Sequence, residues 1–189
     1  TEFPNGHLPG SIFIGAGEDA KFASWLGALI TDLQTPILLV IEEGKEQDVV
    51  DRMARVGYEN PIGYLKGGIE AWKEAGEEVD TMEEVSPDQL VDLYGNVDIM
   101  DVRKESEFSA QHVEGAEVFP LDFINQNMSQ VNRDKKYYMY CNSGYRSVIA
   151  GSILKARGVD KVVNVTGGYE ELKQKDLPFS DFVEQNTEL

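Results

Sequence analysis

Cysteine is nearly absent from this chain: Cys141 is the only one in 189 residues. A single cysteine cannot close an internal disulfide, so the sequence excludes a disulfide-stabilised secreted scaffold and favours a reducing cytoplasm. Histidine is almost as scarce, and the only two, His7 and His112, stand far apart in the sequence. No group of cysteines and histidines has the spacing of metal ligands, so we expect neither a metal site nor a cofactor in this chain.

Positive charge and long apolar runs are also in short supply. Lysine and arginine number 17 against 34 aspartates and glutamates, which gives a formal net charge of −17. A charge of that sign argues against nucleic acids and anionic membrane surfaces as partners. The apolar run 37–41 is far shorter than the roughly 20 residues of a membrane span. We therefore expect neither a nucleic acid nor a membrane as a partner.

The residues that are present form an internal repeat of about 100 residues, the size of a small domain. Three short motifs recur at this spacing: His-Leu-Pro-Gly at 7–10 and His-Val-Glu-Gly at 112–115, apolar runs at 37–41 and 137–140, and glycine pairs at 67–68 and 167–168. In each copy, apolar runs alternate with helical patterns, which is typical of βα units and a parallel sheet. The sequence therefore predicts an α/β fold with two domains.

The second copy carries the clearer pattern. We predict strands at 98–101, 117–119, 137–140 and 162–165, and helices at 104–110, 121–127, 147–157 and 169–175. Ser86 and Pro87 predict the start of a helix over 88–94, since serine is a common N-cap and proline fits the first helical position. The acidic stretch 76–84 has no clear period and is the predicted linker. We place the domains at 1–82 and 83–189.

The first copy lacks a counterpart of the strand that precedes Glu107 and Phe108. Its own matching pair, Glu2 and Phe3, stands almost at the first residue, so the missing strand would precede residue 1. We interpret the first domain as truncated at its N-terminus, with the chain cut or processed from a longer polypeptide. A divergent first domain that lost the strand is the alternative.

Cys141 is the candidate nucleophile. It lies between the predicted strand 137–140 and a predicted helix, in a short turn that contains Gly144. Backbone N–H groups of such a turn, the positive end of the helix and nearby Arg146 all stabilise a thiolate. A buried structural cysteine is the alternative.

The first copy has Glu-Glu-Gly-Lys-Glu at 42–46, without a thiol or an arginine, and we expect it to be catalytically silent.

Five motifs stand in the order and spacing of the rhodanese family: Asp101-Val102-Arg103, Glu107-Phe108, the turn 112–115, the loop from Cys141 to Arg146, and Gly167-Gly168. The chain resembles two tandem rhodanese-like domains over nearly its whole length. This resemblance implies a central parallel sheet flanked by helices in each domain. The first copy more narrowly resembles the tandem rhodanese tail of bacterial metallo-β-lactamase-fold persulfide dioxygenase fusions. That resemblance implies an upstream metallo-β-lactamase-fold domain and a larger protein that oxidises sulfide or persulfide.

The resemblance implies a sulfurtransferase. Cys141 would take a sulfane sulfur from thiosulfate or a low-molecular-weight persulfide and pass it to a thiol, sulfite or cyanide. Carried over by position, Arg146 closes the loop, and Asp101 and Arg103 support it from the neighbouring strand, in an expected ion pair with Glu107. The remaining loop residues form the sulfur cradle: Asn142, Ser143, Gly144, Tyr145 and Ser147. We expect Ser147 to cap the following helix.

Two alternatives remain open. Relatives with a loop one residue longer resemble phosphatases and arsenate reductases, but the loop from Cys141 to Arg146 has six residues, which favours sulfur transfer. Because the first copy is expected to be catalytically silent, the two domains could instead form a non-catalytic docking or redox-sensing module.

Overall fold

The computed structural model describes residues 1–17 and 21–184. These residues form two compact units. One comprises Gly6–Pro9 and the described part of Ile14–Asp80, and the other comprises Thr1–Asn5, Gly10–Phe13 and the chain from Thr81 onward. The predicted domain boundary after residue 82 stays a prediction.

The larger unit is built on a five-stranded sheet in which every paired strand is parallel, in the order β3-β7-β6-β4-β5. Its strands are β3 (Glu83–Val85), β4 (Asp98–Asp101), β5 (Glu117–Val118), β6 (Tyr137–Tyr140) and β7 (Val162–Val165). Its helices are α4 (Pro87–Leu93), α5 (Glu105–Ala110), α6 (Ile124–Asn127), α7 (Tyr145–Ala156) and α8 (Gly168–Leu172), with short 3-10 turns at Phe3–Asn5, Leu121–Phe123 and Met128–Gln130. An α/β fold with a central parallel sheet flanked by helices is confirmed.

The central strands explain why this sheet forms. Every residue of β6 and β7 is buried, as expected of parallel strands covered on both faces. Because the strands are parallel, the carboxyl ends of β4, β6 and β7 meet at one edge of the sheet. Asp101 ends β4, and Cys141 directly follows β6. This edge is where open α/β sheets usually bind ligands.

The start of α4 follows its local sequence. Ser86 accepts a hydrogen bond from the amide of Gln89, the Gln89 side chain accepts one from the amide of Ser86, and Pro87 takes the first helical position. This reciprocal cap confirms the predicted helix start at Ser86 and Pro87.

The acidic stretch 76–84 is only partly a linker, and that prediction was wrong at its end. Glu83 and Glu84 belong to β3, which pairs with β7 along the edge of the sheet. Both glutamates are exposed while Val85 is buried, so a three-residue edge strand with one inward side chain gave too short a pattern to recognise.

The smaller unit has its own core. Its strands β1 (Ile37–Leu39) and β2 (Pro61–Tyr64) pair in parallel, and its helices are α1 (Phe22–Leu29), α2 (Glu46–Ala54) and α3 (Gly68–Glu74). The core consists of Phe22, Leu26, Val49, Met53 and Tyr58. In the part of this unit that the structure describes, the sheet has two strands. Of the helices in the described ranges, none has the length and apolar character needed to cross a membrane.

Candidate active site

The Cys141 side chain lies inside its loop and is 1% exposed. The amide of Gly144 donates a hydrogen bond to Cys141 Sγ over 3.2 Å. Gly144 has a φ of 91°, a left-handed conformation that glycine adopts readily, and this turn brings its amide back toward the sulfur. The loop therefore folds around the thiol and places a backbone donor on it.

Helix α7 begins directly after this turn, with Gly144 as its N-cap and Tyr145 as its first residue. The first N–H groups of a helix have no partner within the helix and carry partial positive charge. The amide of the N-cap residue Gly144, at this positive end, is the donor that contacts the sulfur. The predicted helix start at 147 was two residues late, because the sequence pattern did not reveal the left-handed glycine as the cap.

Ser147 lies inside the first turn of α7, so its predicted role as the helix cap is wrong. Its hydroxyl has three acceptors within reach: Asn164 Oδ1 at 2.6 Å, Gly144 O at 3.0 Å and Cys141 Sγ at 3.6 Å. The side-chain amide of Asn164 in turn donates to Glu84 Oε1 over 2.7 Å. A chain of polar side chains thus leads from the sulfur to an exposed carboxylate.

Sequence reasoning missed both Asn164 and Glu84. Asn164 is 2% exposed and is the polar member of the otherwise apolar strand β7. A buried polar side chain needs a partner, so this interruption of an apolar run was a usable signal.

Arg146 forms a two-point ion pair with Glu107. Its Nη1 donates to Glu107 Oε2 over 2.6 Å, and its Nη2 donates to Oε1 over 2.8 Å. The hydrogen bond with Glu107, followed by the charges of Glu107 and Cys141, outweighs burial and raises the pKa of Arg146. Burial opposes ionisation of Glu107, but hydrogen bonds from Arg146 and from the amide of Lys104 lower its pKa below the ordinary value.

Asp101 and Arg103 pair with each other, and the expected ion pair with Glu107 was wrong. Arg103 Nε lies 3.0 Å from Asp101 Oδ1, and Nη2 lies 2.7 Å from Oδ2, with both side chains almost fully buried. Burial lowers the pKa of Arg103, but the hydrogen bond and charge of Asp101 more than compensate and raise it. The Arg103 guanidinium also lies 4.0 Å from the ring centroid of Tyr169. This pair joins the end of β4 to α8.

The start of α8 holds the other side of the loop. The amide of Tyr169 donates to Cys141 O over 2.7 Å, and the amide of Glu170 donates to Asn142 O over 3.0 Å. The Asn142 side chain returns a hydrogen bond to Glu170 Oε1. Gly168, with a φ of 57°, makes this close approach possible, since a Cβ there would lie 2.4 Å from Cys141 O.

A cavity of about 300 Å³ opens against the loop. Three of the predicted cradle residues, Ser143, Gly144 and Tyr145, contribute to its wall. The other lining residues are Thr1, Glu84, Val148, Asn164, Thr166 and Gly167. Of the predicted cradle, the structure therefore places Ser143, Gly144 and Tyr145 at the cavity, Ser147 against the sulfur and Asn142 against Glu170.

The family model for the rhodanese-like domain matches residues 1–75 and 86–175. The chain belongs to the rhodanese-like domain family. The two matched ranges correspond to the two copies of the internal repeat, so the predicted tandem arrangement is confirmed. A sulfurtransferase-type domain accordingly surrounds Cys141.

Individual relatives align with only part of this rhodanese-like chain. It is 32% identical over 78 residues to the uncharacterized protein YqhL of Bacillus subtilis, covering 41% of this chain and 62% of that protein. It is 32% identical over 83 residues to the putative sulfur carrier protein YrkF of the same organism, covering 44% and 45%. It is 29% identical over 133 residues to a tRNA uridine(34) hydroxylase of Escherichia coli, covering 67% and 35%. The chain thus spans less than two thirds of these curated relatives.

Among solved structures, the rhodanese-like domain of Alr3790 from Anabaena matches with a TM-score of 0.50 and 21% identity, covering 58% of this chain and 86% of that one. A rhodanese-like domain protein from Staphylococcus aureus matches with a TM-score of 0.48 and 30% identity, covering 53% and 100%. The former likeness concerns the fold alone.

The first rhodanese-like unit keeps the glycine that approaches the loop but has no cysteine there. A Cβ on Gly68 would lie 3.1 Å from Ile41 O, just as one on Gly168 would approach Cys141 O. Ile41 therefore occupies the place of the cysteine. Over the described residues, no group of three or more His, Cys, Asp or Glu side chains is placed to hold a metal ion.

Proposed function

We propose that this protein is a sulfurtransferase in which Cys141 carries a sulfane sulfur as a persulfide. The observation that supports this most directly is the Gly144 amide, which donates to Cys141 Sγ at the positive end of α7. A donor of this kind stabilises a thiolate before the reaction and the terminal anion of a persulfide after it. The name of YrkF, a putative sulfur carrier protein, is consistent with this chemistry.

The proposed cycle has two halves. In the first, the Cys141 thiolate attacks the outer sulfur of the donor, a new S–S bond forms, and the donor's S–S bond breaks with its electron pair leaving on sulfite or on a thiolate. In the second, an acceptor thiolate, sulfite or cyanide attacks the terminal sulfur and the electron pair returns to Cys141. Because the chain has no second cysteine, the acceptor must come from outside it.

The wider setting is part of the same proposal. We place the domains in the cytoplasm of a bacterium, within a larger protein whose upstream part is a metallo-β-lactamase-fold persulfide dioxygenase. Sulfite formed by such a domain would then be a natural acceptor for the sulfur on Cys141. The Cys-less first unit would pack against or shape that larger assembly.

Mass spectrometry of the intact protein tests the covalent step. After exposure to a sulfane sulfur donor and removal of the excess, we expect the wild-type protein to gain about 32 Da, the mass of one sulfur atom. Cyanide should remove this mass and release thiocyanate. The Cys141→Ser variant, which keeps the size of the side chain, should gain nothing.

Two results would contradict the proposal. If no adduct forms with any donor while the protein remains folded, the docking or redox-sensing module becomes the better account. If the protein instead hydrolyses phosphate esters or reduces arsenate in a Cys141-dependent way, the loop is that of a phosphatase or an arsenate reductase and not of a sulfurtransferase.

A further inference from the structure

The two arginines beside the catalytic loop are already occupied by carboxylates. Arg146 is held by Glu107 through two hydrogen bonds, and Arg103 is held by Asp101 in the same two-point manner. A carboxylate that binds two of the five N–H donors of a guanidinium also offsets its positive charge. Each arginine thus offers a second anion fewer donors and a weaker attraction than an unpaired arginine would.

The surroundings of the loop add negative charge. The cavity against the loop has one charged lining side chain, the carboxylate of Glu84. On its α8 side, the Asn142 amide donates to the carboxylate of Glu170. These groups are only a few ångströms from the loop, a range over which salt screens charges weakly. An anion that approaches Cys141 through this cavity therefore meets the Glu84 carboxylate and no lysine or arginine side chain among the lining residues.

Sulfane sulfur donors differ in the charge they carry next to the attacked sulfur. In thiosulfate, the leaving group is sulfite, whose three oxygens and negative charge sit one bond from that sulfur. In an organic persulfide, the leaving sulfur is attached to an uncharged carbon chain. Transfer from thiosulfate therefore depends on a nearby cation far more than transfer from a persulfide does.

From these charges we infer that the site prefers organic persulfides to thiosulfate, and that Glu107 sets this preference by occupying Arg146. The inference rests on the proposed function and names its donor class. The step is an exchange of thiols: the Cys141 thiolate attacks the outer sulfur of R–S–SH, the Sγ–S bond forms, the S–S bond to R breaks, and the electron pair leaves as R–S⁻. The proton stays on the transferred sulfur, and no oxidant or reductant is consumed.

Competing donors test the inference. The rate of sulfur loading onto Cys141 is measured by intact mass with thiosulfate and, separately, with the persulfide of 2-mercaptoethanol, which has no charge apart from its sulfur. For the wild-type protein, we expect the second-order rate constant for the persulfide to exceed that for thiosulfate by at least about tenfold, the effect of one partly screened charge.

Glu107→Gln removes the charge that holds Arg146 and keeps an oxygen that can accept from the amide of Lys104. We expect it to raise the thiosulfate-to-persulfide ratio of rate constants by about tenfold. Glu105→Gln is the matched control, because it removes the same charge from an exposed position on the same helix. It should leave the ratio within about twofold. If Glu107→Gln folds poorly by circular dichroism, Glu84→Gln in the cavity wall should raise the ratio in the same direction.

The outcomes separate the two proposals. Loading of Cys141 by thiosulfate at least as fast as by the persulfide, or a ratio that neither Glu107→Gln nor Glu84→Gln changes, overturns the inference and leaves sulfur transfer intact. Failure of both donors to load Cys141 overturns the proposed function itself.

Discussion

Gly168 is the residue through which the backbone controls the position of Cys141. Its φ of 57° lies in the left-handed region, and a Cβ added there would lie 2.4 Å from Cys141 O and 2.8 Å from Asn142 O. Ordinary contacts of this type begin near 3.4 Å, so Gly168→Ala requires the Cys141 carbonyl to move by about 1 Å. The obstacles are backbone atoms, which cannot swing aside as the end of a side chain can.

The expected cost has two parts. An alanine in the left-handed region is strained by about 1–2 kcal/mol, and weakening the hydrogen bond from the Tyr169 amide to Cys141 O costs about 1 kcal/mol more. A loss of about 2–3 kcal/mol lowers the Tm by about 10 °C in a unit of this size. The sulfur belongs to the residue whose carbonyl moves, and a misplacement of about 1 Å carried to the sulfur lowers the rate by about 100-fold. Calorimetry measures the first effect, and the rate of sulfur loading onto Cys141 measures the second.

The internal repeat supplies the control. Gly68→Ala introduces the same side chain at a nearly equal φ, 58°, in the Cys-less unit, where the Cβ would lie 3.1 Å from Ile41 O. It should cost similar backbone strain and leave the loading rate within about twofold, since the loop that it supports contains no cysteine. A Gly168→Ala protein that loads sulfur at the wild-type rate, or a Gly68→Ala protein that is equally impaired, would refute this account of the loop.

The remaining predictions concern pH. The pKa of Glu107 is lowered in the folded protein, so its ionisation stabilises the fold above its ordinary pKa of 4.5 and this contribution is lost as pH falls through the folded value. In urea titrations, the difference in the free energy of unfolding between the wild type and Glu107→Gln should therefore narrow below pH 4.5, and a constant difference would contradict a stabilising ion pair between Glu107 and Arg146. Burial, and next the charge of Asp101, raise the pKa of Tyr140 well above its ordinary value of 10. Its contribution to stability is present below pH 10 and is lost at higher pH. In the folded protein, ultraviolet titration should find fewer tyrosines ionising near pH 10–11 than after unfolding, because burial also raises the pKa of Tyr58, and Tyr140→Phe should reduce that difference by one tyrosine.

Much of the larger unit could be predicted from sequence because its strands are short apolar runs at regular intervals. The predicted strands 98–101, 137–140 and 162–165 coincide with β4, β6 and β7. Parallel pairing then brings the carboxyl ends of the strands to one edge of the sheet. The sequence alone therefore predicts that Cys141, after β6, lies near Asp101 at the end of β4.

The partners of the charged side chains could not be predicted in the same way. Glu107 stands four residues after Arg103 in the sequence, and that proximity favoured a pair between them. In the structure, the carboxylate reaches Arg146 on α7 instead, while Arg103 folds back onto Asp101. Which arginine a carboxylate meets depends on the direction in which two distant elements present their side chains, and no local pattern carries that information.

The two copies share one scaffold but differ in the residue and the helix that follow the strand. Both keep a left-handed glycine that approaches the residue after the strand, Gly168 toward Cys141 and Gly68 toward Ile41. The helices that follow differ: the first turn of α2 carries two carboxylates, whereas the first turn of α7 carries none. Acidic side chains at a helix N-terminus satisfy its partial positive charge. In the larger unit no acidic side chain of the first turn of α7 takes up that charge, and the Gly144 amide at this helix end donates to the sulfur.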